Sequence, residues 1–160
     1  MCCFLFSIAI AAPSLATEPL HDQFRTGDQT GWIFPSGCCW VKLPPSELLD
    51  EMKRKEMAGC SAIGGPVGKF ELVDGKLWLT GLMKCSGDVR LHRVYPELDS
   101  PAFANWLSGT FKTRVDFLCY DKTVRPIYGL EQVLTVEQGV VTAITETKID
   151  PATCPKKAGS

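Results

Sequence analysis

An apolar leader followed by six further cysteines constrains the fold of this chain more than any other feature of its sequence. Residues 1–16 carry no charged side chain, residues 4–12 are almost entirely apolar, and Ser14 and Ala16 supply the small residues that signal peptidase requires. We therefore expect residues 1–16 to be a signal peptide cleaved near Ala16. The mature protein would then be periplasmic or secreted, without a membrane span, because the apolar run is shorter than the roughly 20 residues a bilayer requires.

One departure from this pattern keeps a second interpretation open. No Lys or Arg precedes the apolar run, although signal peptides normally begin with a basic region. The alternative is that the run forms a buried N-terminal strand.

The cysteines of the mature part indicate disulfide bonds. Cys2 and Cys3 fall in the leader, and an even number follows it, as expected for an exported domain stapled by disulfides. The candidates are Cys38, Cys39, Cys60, Cys85, Cys119 and Cys154. We expect Cys38 and Cys39 to bridge to two different parts of the chain, and Cys154 to attach the C-terminal tail to the domain. Their spacing does not fit a zinc site, because adjacent cysteines cannot easily bind one tetrahedral ion, and no metal or cofactor is expected.

Length and charge indicate a single domain and argue against a nucleic-acid-binding protein. Residues 17–155 are enough for a single domain, and residues 156–160 are expected to be a disordered tail. The chain has 17 basic and 18 acidic side chains, a formal net charge of −1. This balance argues against nucleic acid as a partner, since phosphate binding requires a basic excess.

The hydrophobic pattern predicts an α+β fold that is mainly antiparallel β. Residues 46–57 have the pattern of a short helix that begins after the N-cap Ser46, and residues 17–43 have no regular period. Asp74-Gly75 and Gly139 are typical of hairpin turns, and residues 110–120 alternate as a half-buried strand does. We expect a meander of about five strands, stapled by disulfides, with the N-terminal helix packed on it.

The sequence contains no convincing catalytic motif. His92, Asp88 and Ser108 could form a hydrolase triad only if folding assembled them, and no Gly-x-Ser-x-Gly elbow is present. A small exported hydrolase using His92 with a nearby acid stays as one alternative. A carrier of small apolar ligands is another, with a cavity that would be lined by Leu77, Leu79, Phe111 and Val133.

The favoured hypothesis is a non-enzymatic protein that binds another secreted or periplasmic protein through loops on a β scaffold. Residues 86–109 form the longest irregular stretch between the predicted strands, and loops commonly carry binding residues. The candidate binding residues there are Arg90, His92, Tyr95, Glu97 and Trp106. As a class, small exported disulfide domains without an active site resemble inhibitors and immunity proteins that act against cell-wall-degrading enzymes.

Overall fold

The computed structural model describes residues 20–37, 39–59 and 66–155. In these residues nine strands form one sheet. The strands are β1 (Asp22–Thr26), β2 (Gln29–Pro35), β3 (Val67–Val73), β4 (Lys76–Lys84), β5 (Gly87–Val89), β6 (Ala102–Phe103), β7 (Gly109–Tyr120), β8 (Pro126–Glu137) and β9 (Val140–Lys148). The helix α1 spans Glu47–Gly59, and short 3-10 helices span Leu91–Arg93 and Pro151–Thr153. The predicted signal peptide, the tail 156–160, Cys38 and Cys60 lie outside the described residues.

The sheet is mixed and closes on itself, which corrects the expected antiparallel meander of about five strands. Its order is β3-β1-β2-β7-β8-β9-β4, and β4 pairs again with β3. All of these pairings are antiparallel except that of β1 with β3, which is parallel. The prediction undercounts the strands in part because β5 and β6 are too short to show a period. It misses the parallel pairing because this pairing joins segments that are distant in sequence.

The prediction that residues 17–43 are irregular is wrong for the β1–β2 hairpin. Phe24 and Ile33 are fully buried in the core, while their neighbours along each strand are more exposed. Gly27 adopts a positive φ of 55° in the turn between the two strands, a conformation that favours glycine. Each strand is so short that only one or two buried residues mark its period, and the hairpin therefore leaves little trace in the sequence pattern.

The β3–β4 and β8–β9 hairpins confirm the predicted turns. Asp74 and Gly75 both have positive φ, as a tight two-residue turn between β3 and β4 requires. Gln138 and Gly139 also have positive φ, and these two residues join β8 to β9.

Closure of the sheet between β4 and β9 depends on the two hairpin turns. Only one residue pair, Lys76 with Val140, joins these strands. Next to it, the N–H of Leu77 donates to the carbonyl of Gly139 at 2.8 Å, and the N–H of Val141 donates to the carbonyl of Gly75 at 2.8 Å. The remaining edge of β4 pairs with β6 and β5.

The helix and the C-terminal staple both agree with the sequence-based prediction. The Oγ of Ser46 donates to the carbonyl of Val94 at 3.0 Å and accepts from the N–H of Leu49, so the N-cap also connects α1 to the domain. Leu49 is buried in the core. Cys119 and Cys154 form a disulfide, which ties the chain beyond β9 to the end of β7, as expected. Cys39 and Cys85 are disulfide-bonded as well.

Asp22 is a buried carboxylate that joins three segments at the start of β1. It is 1% exposed, and its two oxygens accept hydrogen bonds from the backbone N–H groups of Val41 and Gly68, each at 2.6 Å. Burial disfavours the charged form and raises the pKa of Asp22 from 3.8 to about 6, although the two hydrogen bonds oppose this shift.

Candidate functional site

A groove of about 740 Å³ lies on the described part of the chain. One wall consists of four aromatic rings, Trp32, Phe117, Tyr120 and Tyr128, from β2, β7 and β8. We call this site the aromatic groove. The rest of the lining is mainly polar, and we call it the polar wall. It comes from β1, β2, β3 and β4 and consists chiefly of Gln23, Arg25, Thr30, Lys69, Glu71 and Thr80.

The aromatic wall contains both supported and exposed rings. The Nε1 of Trp32 donates to the hydroxyl of Tyr128, which is nearly buried. The ring centroid of Phe117 lies 5.9 Å from that of Tyr128 and 5.0 Å from that of Tyr120. Phe117 is nevertheless 48% exposed and Tyr120 55% exposed, so two large rings face solvent on a firm support. Exposed aromatic area of this kind is typical of binding surfaces.

An irregularity in β7 explains why Phe117 is exposed. Phe111, Thr113 and Val115 point into the core, and uninterrupted alternation would bury Phe117 as well. Asp116 instead has a positive φ of 64°, and the register with β8 shifts between Phe117 and Cys119. Bulges of this kind redirect side chains, and this irregularity begins beside Phe117.

The polar wall is held in place by its own contacts. Arg25 pairs with Glu71 at 3.5 Å, and the Nζ of Lys69 contacts a carboxylate oxygen of Asp88 at 2.8 Å. Gln23 donates to the sulfur of Met83, and the hydroxyl of Thr80 donates to the carbonyl of Lys69 at 3.0 Å. A ligand would thus meet positive and negative charges whose positions are already fixed.

The lining of the groove combines aromatic rings with polar and charged side chains. Glu71 is the one carboxylate among the described lining residues, and no His, Ser or Cys is found with it. General acid–base chemistry usually requires a pair of titratable groups, and a covalent route requires a nucleophile next to a base. Lys69, Tyr120 and Tyr128 are further titratable side chains in the lining.

The five binding residues expected from the sequence do not line the aromatic groove. Arg90, His92 and Glu97 are exposed on the surface, which is compatible with the predicted binding role. Tyr95 is 0% exposed, and its hydroxyl donates to the carbonyl of Pro44 at 2.9 Å. Burial, with smaller contributions from nearby carboxylates, raises the pKa of Tyr95 above its usual value.

Trp106 has a similar position to Tyr95. It is partly buried, and its Nε1 donates to the carbonyl of Lys42 at 2.9 Å. Both aromatic residues therefore hold the segment that leads into α1, through hydrogen bonds to its backbone.

Two residues of the proposed hydrolase triad have other partners in the described part of the chain. The carboxylate of Asp88 is paired with Lys69, and the Oγ of Ser108 accepts a hydrogen bond from the N–H of Gln138 at 2.9 Å. No hydrogen bond described for these ranges connects either residue with His92.

The side chains expected to line a carrier cavity do not share one cavity. Leu77, Leu79 and Phe111 are buried in the packed core. Val133 lies between the buried residues Gln132 and Leu134 along β8, and it is therefore exposed on the opposite face of the strand.

The sequence alone does not reveal the aromatic groove. Its pattern places Trp32 in an irregular core-covering segment and makes Phe117, Tyr120 and Tyr128 ordinary strand residues. The only sequence signal for the groove is the density of aromatics at the ends of neighbouring strands.

Two further observations concern the described residues as a whole. They contain no cluster of three or more His, Cys, Asp or Glu side chains that could hold a metal ion. No helix among them has the length and apolar character needed to cross a bilayer.

Comparison with known proteins adds no relative, since no protein-family model, curated protein or solved structure shows a significant match to this chain.

Proposed function

We propose that this chain is an exported, non-enzymatic binding protein that engages another exported protein through the aromatic groove. The observation that supports this most strongly is the pair of half-exposed rings, Phe117 and Tyr120, beside the supported ring of Tyr128. Toward its partner such a protein would act as an inhibitor or an immunity protein.

The shape and charge of the groove favour a protein over a small molecule. The groove is open, since both of its outer rings are half exposed. Small-molecule sites are more enclosed and bury roughly 70–90% of their ligand. Two ion pairs, Arg25–Glu71 and Lys69–Asp88, involve residues of the polar wall. Aromatic residues and Arg are enriched in the energetically important core of protein–protein interfaces, and polar residues form the rim.

Export of the protein is supported by the disulfides. Cys119–Cys154 is formed, and Cys39 and Cys85 are also oxidised. Disulfides persist in the periplasm and outside the cell and are rare in the reducing cytosol. A cell fractionation experiment would test this, with the processed protein expected in the periplasm or medium.

The binding role can be tested by capture followed by titration. Immobilised protein is incubated with envelope and medium extracts, and the captured partner is purified and titrated by calorimetry. Changing both Phe117 and Tyr120 to Ala should weaken binding by about 30-fold or more, since hot-spot aromatics contribute about 1–2 kcal/mol or more each.

Val124→Ala is the matched control, because Val124 is 75% exposed and lies outside the groove. This variant should bind as the wild type does. A triple alanine variant of Arg90, His92 and Glu97 tests the loop surface expected from the sequence. If the partner binds the Phe117/Tyr120 variant as tightly as wild type, the aromatic groove is not its site.

A further inference from the structure

The outer edge of β9 is the longest exposed strand edge in the described ranges. One edge of β9 pairs with β8 from Val140 to Lys148. On the other edge, β4 pairs with β9 only at Val140. Every residue from Thr142 to Lys148 is exposed. Along this edge alternate backbone N–H and C=O groups have no strand partner among the described residues, and such an edge is a template for another strand.

This edge lacks most of the features that natural proteins use to prevent pairing. Residues 142–148 contain no Pro, and the register with β8 is regular from Ala143 to Lys148. Ile144 is 45% exposed, and Val133 of β8, which pairs with Thr145, is exposed as well. The two charges, Glu146 and Lys148, are opposite in sign and both lie toward one end.

We propose that β9 pairs with β9 of a second copy of this chain, antiparallel and about a two-fold axis at Thr145. This is the register in which all of residues 142–148 overlap. It places Glu146 opposite Ile144 of the other copy and Lys148 opposite Thr142, so that no like charges face each other. An axis one residue further along, at Glu146, would set that carboxylate directly opposite its own copy, and like charges in that position are destabilising.

The edge is also held in its extended form before any partner arrives. β9 pairs with β8 from Val140 to Lys148, and the N–H of Ile149 continues this ladder to the carbonyl of Gly129 at 2.9 Å. The side chain of Glu146 accepts from Gln132 at 2.7 Å, and the Cys119–Cys154 disulfide follows a few residues later. A strand that is already ordered loses little conformational entropy on pairing.

The test is sedimentation velocity on the full purified chain at concentrations up to about 1 mM, a range that detects weak dimers. Wild type should show a concentration-dependent dimer. Thr145→Lys and Thr145→Glu should each be monomeric, because each places like charges opposite each other at the axis. Mixing the two variants in equal amounts should restore the dimer, since Lys then faces Glu.

Thr110→Lys is the control, because Thr110 is an exposed threonine on β7, a strand that is paired on both sides. It should dimerise as wild type does, and circular dichroism should show that all variants are folded. A monomeric wild type at the highest concentration would overturn the proposal. So would a Thr145→Lys variant that dimerises normally, or a mixture of the two charged variants that stays monomeric.

Discussion

Burial of the Asp22 carboxylate predicts an unusual dependence of stability on pH. The pKa of Asp22 is raised from 3.8 to about 6 in the folded protein, chiefly by burial. Between these two values the folded state holds a proton that the unfolded state has released. The contribution of Asp22 to the free energy of unfolding is therefore full below about pH 4 and is lost as the pH rises through about 6.

The magnitude follows from the size of the shift. A change of about two pKa units, at about 1.4 kcal/mol per unit, corresponds to about 3 kcal/mol. Other carboxylates act in the opposite sense. The pKa of Asp121, for example, is lowered by hydrogen bonds that include the backbone N–H of Arg125. The contribution of Asp22 must consequently be measured as a difference between two proteins.

The assay is urea unfolding of wild type and Asp22→Asn at intervals from about pH 3.5 to about 7.5, a range that spans both pKa values. The asparagine variant keeps the size of the side chain and cannot ionise. The stability of wild type minus that of the variant should fall by about 3 kcal/mol across this range. A difference that stays constant, or that rises with pH, would refute the reasoning, because the two backbone hydrogen bonds would then outweigh burial.

Four further variants have clear expected outcomes. Gly139→Ala should destabilise the protein by about 2 kcal/mol or more, because φ is +79° and a Cβ would lie 2.7 Å from a backbone oxygen. Gly27→Ala should lower the free energy of unfolding by less than Gly139→Ala does, because a Cβ at Gly27 would meet no atom although φ is positive there. Both variants are measured by urea unfolding. Tyr95→Phe should lower stability by about 1 kcal/mol through its lost hydrogen bond, measured in the same way. Replacing Cys119 and Cys154 by Ser should lower the free energy of unfolding by about 3–4 kcal/mol for a sequence separation of 35, and an unchanged value would contradict this estimate.

The features that could be predicted from sequence are local ones. Asp74-Gly75 specifies a turn by its own backbone preferences, and Ser46 followed by an amphipathic stretch specifies the start of α1. Cys154 could be recognised as a staple because of its place near the C-terminus. In the turn and the helix, the residues that determine the structure are neighbours along the chain.

The features that could not be predicted depend on distant segments. The parallel pairing of β1 with β3 joins Phe24 to Phe70, and no local pattern specifies it. The aromatic groove depends on the positive φ of Asp116, an unusual conformation for a residue other than glycine. Tyr95 resembles a binding residue because aromatics in loops often are, whereas its burial is decided by contacts with a segment about fifty residues away.

The narrow connection between β4 and β9 has a practical consequence for engineering this protein. Because the ring of strands is completed through the turns at Gly75 and Gly139, a peptide tag or fluorophore inserted at either turn would separate the two ends of the sheet. The polar loop at residues 122–124 is the safer insertion point, since it is exposed and joins two strands that are already paired along their length.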